Sequence, residues 1–165
     1  MNRSFSLDGF LDGFRALLVL VLLAASASGA LAQQYHNGNL GFTVDVPPGL
    51  ADYQSVTSPE GITLTSPDGL AVVNIFGSRN EAGRSLGAIV EAYKHDVPDA
   101  EFTYEWRGRN AAVLSGYQAG DIFYVRIAMS PDRGRAAILS MIYAPELKRQ
   151  LDPVVSRLST SLSIR

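Results

Sequence analysis

His36 and His95 are the two imidazole groups of this chain, and they could serve as metal ligands or general bases. Neither belongs to an H-x-x-x-H or H-E-x-x-H pattern, which would place two ligands on one face of a helix. The chain has no cysteine, so a thiolate nucleophile and a cysteine zinc site are excluded. We therefore predict no metal site.

Hydrolytic chemistry would need groups that converge from distant parts of the sequence. Ser115 could form a triad with His95 and an aspartate, but it lies within a predicted strand and not on the sharp turn of a G-x-S-x-G motif. Glu101 and Glu105 lie roughly 13 Å apart if they share a strand, which is too far for the carboxylate pair of a glycosidase. No glycine-rich phosphate loop is present. We predict no catalytic residue and no cofactor.

Phe102, Tyr104 and Trp106 alternate with polar residues along one predicted strand. A period of two places alternate side chains on the same face of a sheet. Such a row is usually part of a core, because large rings bury much apolar surface. We expect this row to be buried, and a ligand platform is the alternative.

Arg126 interrupts an apolar run from Ile122 to Met129. A buried guanidinium needs a carboxylate or several carbonyl groups, whereas an arginine whose stem lies along the sheet can keep its head in water. We expect the second arrangement. Together with Trp106, Arg107 and Arg109, Arg126 makes up the predicted binding surface, for an envelope protein or an anionic ligand.

The N-terminus has the pattern of a secretory signal. Arg3 and Arg15 precede the apolar run 16–25, and small residues follow it up to Ala30-Leu31-Ala32. The run is shorter than the ~20 residues that span a bilayer. We predict that residues 1–32 are a cleavable signal peptide, cut after Ala32. The mature chain is then a periplasmic or secreted protein without a stable membrane span.

Composition narrows the choice of partner. The absence of cysteine in an exported chain favours the bacterial envelope. The net charge of −2 argues against nucleic acid as a partner. Residues 33–106 contain three basic and ten acidic side chains, whereas residues 107–165 contain nine basic and four acidic ones. The second half could supply a basic face, unless antiparallel strands interleave the two halves. The oligomeric state stays open.

The elements that position these residues fit one α+β domain, residues 33–165. Alternating segments such as Phe42 to Val46 predict strands, and Tyr35 to Asn39 predicts a polar turn. Ser85 is a helix cap before Leu86 and Val90. A second helix begins near Pro145, and Pro153 either kinks it or opens a further helix. We predict a single antiparallel sheet of about six or seven strands, covered by two helices.

This order of elements resembles the PsbP-like α/β/α sandwich family. The resemblance is carried by the segment from Leu40 to Pro47 and by the Tyr143 strand with its helix, which runs to Ser161-Leu162. Val46 stands where that family often has an aromatic residue before the first proline. The resemblance implies a binding or accessory module and no shared active site.

The sequence therefore predicts a non-catalytic binding or accessory module of the bacterial envelope. Two alternatives stay open. One is a small secreted hydrolase without a recognisable motif, and the other is a structural envelope protein.

Overall fold

The computed structural model describes residues 33–165, and the predicted signal peptide lies outside these described residues. In this part of the chain there are ten strands and two α-helices. In chain order they are β1 (Gln33–Asn37), β2 (Phe42–Val46), β3 (Gln54–Thr57), β4 (Gly61–Thr65), β5 (Ala71–Arg79), α1 (Leu86–Asp96), β6 (Ala100–Arg107), β7 (Ala111–Gln118), β8 (Asp121–Met129), β9 (Arg135–Tyr143), α2 (Lys148–Ser161) and β10 (Ser163–Ile164).

The strands form two sheets, so the prediction of a single sheet is wrong. The larger is antiparallel and has seven strands in the order β3-β4-β5-β9-β8-β7-β6. The smaller has the order β1-β2-β10 and joins the two ends of the described chain.

Of the segment predicted as a polar turn, Tyr35 to Asn37 belong to β1, and Gly38 and Asn39 lie in the turn that follows. The last residue of β1, Asn37, is buried, and its side chain forms hydrogen bonds with backbone groups near the turn into β2. The Asn37 side chain accepts a hydrogen bond from the Leu40 amide and donates one to the Pro59 carbonyl, both at 3.0 Å. The sequence did not predict this strand, because the side chains from Gln33 to His36 are mostly exposed and show no apolar alternation.

Helix α1 covers one face of the large sheet, the α1 face. The Ser85 hydroxyl accepts a hydrogen bond from the Ala88 amide at 3.2 Å, as predicted for an N-cap. Leu86 and Val90 are buried in a cluster with strand residues of this face, which include Leu114, Phe123, Val125 and Ile127.

Helix α2 and the small sheet cover the other face, the α2 face. Leu151, Val155 and Leu158 pack in a core with β2 and with the inward side chains of β5 and β9. Pro153 lies inside one continuous helix. Proline has no amide hydrogen, so the Arg149 carbonyl receives no helical hydrogen bond from Pro153. Both residues are exposed, so water can bond this carbonyl instead.

Neither helix spans the full width of the large sheet. Helix α2 contacts β9, β8 and β2, and leaves the α2 face of β6 and β7 open. Helix α1 packs on β7, so the β3-β4-β5 side of the other face carries exposed apolar side chains at Val56 and Phe76. Each face of the large sheet is therefore covered only in part.

Candidate binding surface

A β-bulge in β6 sends its aromatic side chains to both faces of the sheet. Phe102 pairs with Gly116, but the register shifts by one residue and Tyr104 pairs with Ser115. Phe102 therefore packs on the α1 face, edge-on to Phe123 at 5.3 Å between ring centroids. Tyr104 and Trp106 emerge on the α2 face, 53% and 46% exposed. The expectation of one buried aromatic row is wrong for Tyr104 and Trp106, and only Phe102 packs against the core.

Gly116 lies where the bulge requires close approach of two backbones. A Cβ at this position would lie 1.8 Å from the Glu101 carbonyl oxygen and 3.1 Å from the Phe102 Cα. Only glycine permits β6 to come this near to β7.

The register brings four polar or aromatic side chains together on the open half of the α2 face. Trp106 lies in one row with Val113 and Arg126, because β6, β7 and β8 pair directly there. The next row on this face contains Tyr104, and the row after it contains Tyr117, which is 46% exposed. We call Tyr104, Trp106, Tyr117 and Arg126 the aromatic face.

Arg126 is the least satisfied polar side chain of this surface. Its Nε atom is buried, and no hydrogen-bond acceptor among residues 33–165 is in range. Val113 and Leu139 flank it in the row, so its stem lies beside apolar side chains. The sequence predicted a head in water, but the Nε atom is buried. A buried donor without a partner costs about 1–3 kcal/mol.

Arg107 points away from the aromatic face. It pairs with Ala112 in register and reaches α1, where its guanidinium bonds Glu91 and also the neighbouring Glu105. These hydrogen bonds, with Glu91 first, raise the pKa of Arg107. Lys94 of α1 also bonds Glu105 and, with Arg107, lowers the pKa of that carboxyl group. Arg107 therefore fastens β6 to α1.

Arg109 lies at the end of the aromatic face, in the exposed turn between β6 and β7. The Trp106 ring lies against this turn, since a Cβ on Gly108 would come within 2.6 Å of the ring. Of the four residues predicted as a binding surface, the structure thus places Trp106 and Arg126 on one face, Arg109 beside them and Arg107 opposite.

A groove of about 280 Å³ joins the aromatic face to α2. Tyr117 of the aromatic face lines it. The strands and α2 supply further lining residues, among them Thr103, Ser115, Tyr124, Tyr143, Lys148 and Asp152. The Tyr124 and Ser159 hydroxyl groups are hydrogen bonded at 2.6 Å. Burial, and then the charge of Asp152, raise the pKa of Tyr143 to about 12.

The large sheet separates the residues that a serine hydrolase would need. Ser115 lines the groove on the α2 face, whereas His95 belongs to α1 on the opposite face. In the described part of the chain, no cluster of three metal-ligating side chains occurs. Within residues 33–165, no helix is long and apolar enough to cross a membrane.

No protein-family model matches the chain, and no curated protein is similar to it in sequence. Solved structures do match. The cyanobacterial PsbP (CyanoP) of Synechocystis sp. PCC 6803 superposes with a TM-score of 0.60 at 11% identity, over 85% of this chain and 96% of that one. The Ran-binding protein Mog1p of Saccharomyces cerevisiae superposes with a TM-score of 0.56 at 7% identity, over 81% of this chain and 95% of that one.

LpqN, a Mycobacterium tuberculosis protein involved in cell envelope biogenesis, gives a TM-score of 0.53 at 15% identity. The match covers 80% of this chain and 90% of that one. At these identities the likeness concerns the fold alone. The chain described by residues 33–165 has the PsbP-like fold, as the sequence resemblance implied.

Proposed function

We propose that this chain is an exported accessory module of the bacterial envelope that binds a partner protein through the aromatic face. The signal-like sequence pattern of residues 1–32 supports export, and the fold is shared with a protein of envelope biogenesis, LpqN. The observation that carries the binding proposal is the exposure of Tyr104 and Trp106 next to the unsatisfied Arg126.

The composition of the aromatic face is that of a protein interface. Tyrosine, tryptophan and arginine are the residue types that dominate binding energy at interfaces. Here they are held on three neighbouring strands, so little side-chain and backbone freedom is lost on binding. A rigid sheet thus presents anchors that a partner can cover.

Arg126 and Arg109 define the chemistry of the partner. Neither arginine has a carboxylate of residues 33–165 within 4.0 Å, in contrast to Arg107, which has two. A partner carboxylate at Arg126, with an apolar side chain over Trp106, would give Nε its missing acceptor and bury the exposed rings. The partner is therefore a protein with an acidic residue beside an apolar patch.

The test begins with purification of the exported protein from its native envelope and identification of the protein that travels with it. That partner is then produced separately, and its affinity is measured by calorimetry. Trp106→Ala and Arg126→Gln should each weaken binding by roughly thirtyfold, the loss typical of a dominant interface residue.

Arg107→Gln is the matched control, because it changes a cation on the same strand but on the opposite face. Its affinity should stay within about twofold of the unmodified protein, as expected for an exposed ion pair outside the interface. Equal losses in Arg107→Gln and Arg126→Gln would contradict the proposal, as would unchanged binding in Trp106→Ala.

A further inference from the structure

Two arginines lie side by side on the α2 face, where β5 ends and β9 begins. Arg79 and Arg135 are directly opposite each other in the register of these strands. Arg79 follows Ile75 by four residues and Arg135 precedes Leu139 by four, so both side chains share the face of these core residues. Like charges that face each other across two strands destabilise a sheet. A neutral residue at either position would therefore favour the fold.

The backbone brings the two side chains close together. The backbone amide of Asn80 donates a hydrogen bond to the Gly134 carbonyl at 2.8 Å, in the next pair of the register. Hydrogen-bonded and non-hydrogen-bonded pairs alternate in an antiparallel ladder, so Arg79 and Arg135 form a non-hydrogen-bonded pair. The Cα atoms of such a pair are only about 4.5 Å apart. The Asn80 side chain also donates to the Arg133 carbonyl at 2.8 Å, which fastens this end of the sheet.

The small sheet encloses one side of the pair. A Cβ on Gly41, in the turn between β1 and β2, would come within 2.7 Å of the Arg135 Nη1 atom. Gly41 has a φ of +70°, and its carbonyl accepts a hydrogen bond from the Arg165 amide at 3.0 Å. Arg135 is partly buried, whereas Arg79 is exposed. The Arg135 guanidinium therefore lies against a turn that only glycine allows it to approach, with the Arg79 side chain beside it.

The pair has no carboxylate partner among residues 33–165. No carboxylate oxygen lies within 4.0 Å of the guanidinium of Arg79 or Arg135. Asp132 lies in the turn before Arg135, but its carboxylate accepts hydrogen bonds from the Ser130 hydroxyl and from a backbone amide. These bonds lower the pKa of Asp132 first, and the charge of Arg135 contributes after them. Glu60, in the β3–β4 turn, is the acidic residue on the other side of β5.

Phosphate is the anion that this pair fits. Each guanidinium presents parallel N–H donors, which bind the oxygens of a phosphate in pairs. A phosphate monoester has a charge of about −2 and three free oxygens, enough for two guanidinium groups, whereas a carboxylate has one charge and two oxygens. A bound phosphate would also cancel the repulsion between the two arginines.

We propose that Arg79 and Arg135 form a binding site for a phosphate monoester. The site lies on β5 and β9, whereas the aromatic face lies on β6, β7 and β8. The two proposals therefore rest on different residues, and either can fail without the other.

Calorimetry and thermal unfolding test the proposal on the protein purified from cells expressing the full chain. The probe is glycerol 3-phosphate at pH 8, where the ester is a dianion, and sodium chloride at the same ionic strength is the comparison. We expect saturable binding of glycerol 3-phosphate and a higher unfolding midpoint at saturation. Chloride should raise the midpoint much less, because it only screens the repulsion.

Arg79→Gln should have two effects of opposite sign. Without phosphate the midpoint should rise by roughly 1–4 °C, because the repulsion is gone. The affinity for glycerol 3-phosphate should fall by about tenfold or more, because one of the two cationic contacts is lost. Arg149→Gln is the matched control, since Arg149 is an exposed cation on α2 with no carboxylate of residues 33–165 within 4.0 Å. It should bind the ester normally.

Flotation with vesicles distinguishes two sources of the phosphate group. Vesicles of phosphatidylcholine are compared with vesicles that also contain phosphatidic acid, a lipid with a phosphate monoester head group. Flotation that requires phosphatidic acid and is lost in Arg79→Gln assigns the site to a lipid. Calorimetric binding without flotation assigns it to a soluble ester.

Three results would overturn the proposal. They are the absence of binding to both the soluble ester and the phosphatidic acid vesicles, equal stabilisation by the ester and by chloride, and normal binding in Arg79→Gln. The first two are measured on the unmodified protein, so they hold even if a substitution disturbs folding.

Discussion

Arg126 combines a cost in stability with a proposed role in binding. Its stem covers apolar side chains on a strand, but its buried Nε has no acceptor among the described residues. Groups of this kind are usually retained where function needs them, since an apolar residue of similar length avoids the desolvation penalty.

Arg126→Met is therefore expected to raise the free energy of unfolding by about 1 kcal/mol while it weakens partner binding. Urea denaturation followed by circular dichroism measures the first effect. A variant that is less stable than the unmodified protein would show that the guanidinium is satisfied in solution.

Tyr143 gives the fold a dependence on alkaline pH. The side chain is 3% exposed, and burial together with the charge of Asp152 raises its pKa to about 12, from about 10 in an unfolded chain. Ionisation is therefore easier after unfolding. The stabilisation is fully present below pH ~10 and is lost as pH rises toward 12.

Denaturant midpoints measured from pH 9 to 12 should fall across this window, and Tyr143→Phe should reduce the slope. An identical slope in both proteins would exclude Tyr143 as a source of the alkaline loss.

At the scale of elements, the bulge in β6 decides where the aromatic side chains point. Without the shift after Phe102, the period-two pattern would keep Tyr104 and Trp106 on the α1 face. Gly116 permits the close approach of β6 and β7 at this position.

Gly116→Ala is expected to lower the free energy of unfolding by about 1–3 kcal/mol, because the new methyl group overlaps the Glu101 carbonyl. Gly87→Ala is the matched control. Gly87 lies in α1 with no atom closer than 3.5 Å to an added Cβ, so alanine should stabilise by up to ~1 kcal/mol. Thermal unfolding of both variants tests the difference, and a neutral Gly116→Ala would mean that β6 is free to move.

The sequence predicted the elements that depend on interactions between residues close together in the chain. The Ser85 cap, the two helices and the main strands follow from capping and apolar periodicity. The bulge was not predictable, because Phe102, Tyr104 and Trp106 have the same spacing with or without it. The β1 strand was missed because its side chains are mostly polar and exposed.

At the scale of the whole molecule, two helices are too few to cover both faces of a seven-stranded sheet. Helix α2 leaves the aromatic face open, and helix α1 leaves the β3-β4-β5 surface of the other face open. The open surface on the α2 side is the one that we propose for partner binding.

Export is part of this proposal and has its own test. The small residues before Gln33 predict that the exported protein begins at residue 33. Mass spectrometry of the protein from the periplasm or medium of its native cell should give the mass of residues 33–165. An exported chain that still begins at Met1 would contradict processing.

Photo-crosslinking in the native cell tests the central claim most directly. A photoreactive benzoylphenylalanine replaces Trp106 in one strain and the adjacent Arg107 in another, so the two probes lie on opposite faces of the same strand. The account predicts one discrete crosslinked protein from position 106, lost when Arg126→Gln is added, and none from position 107. Crosslinking from position 107 alone, or equally from both positions, would contradict it.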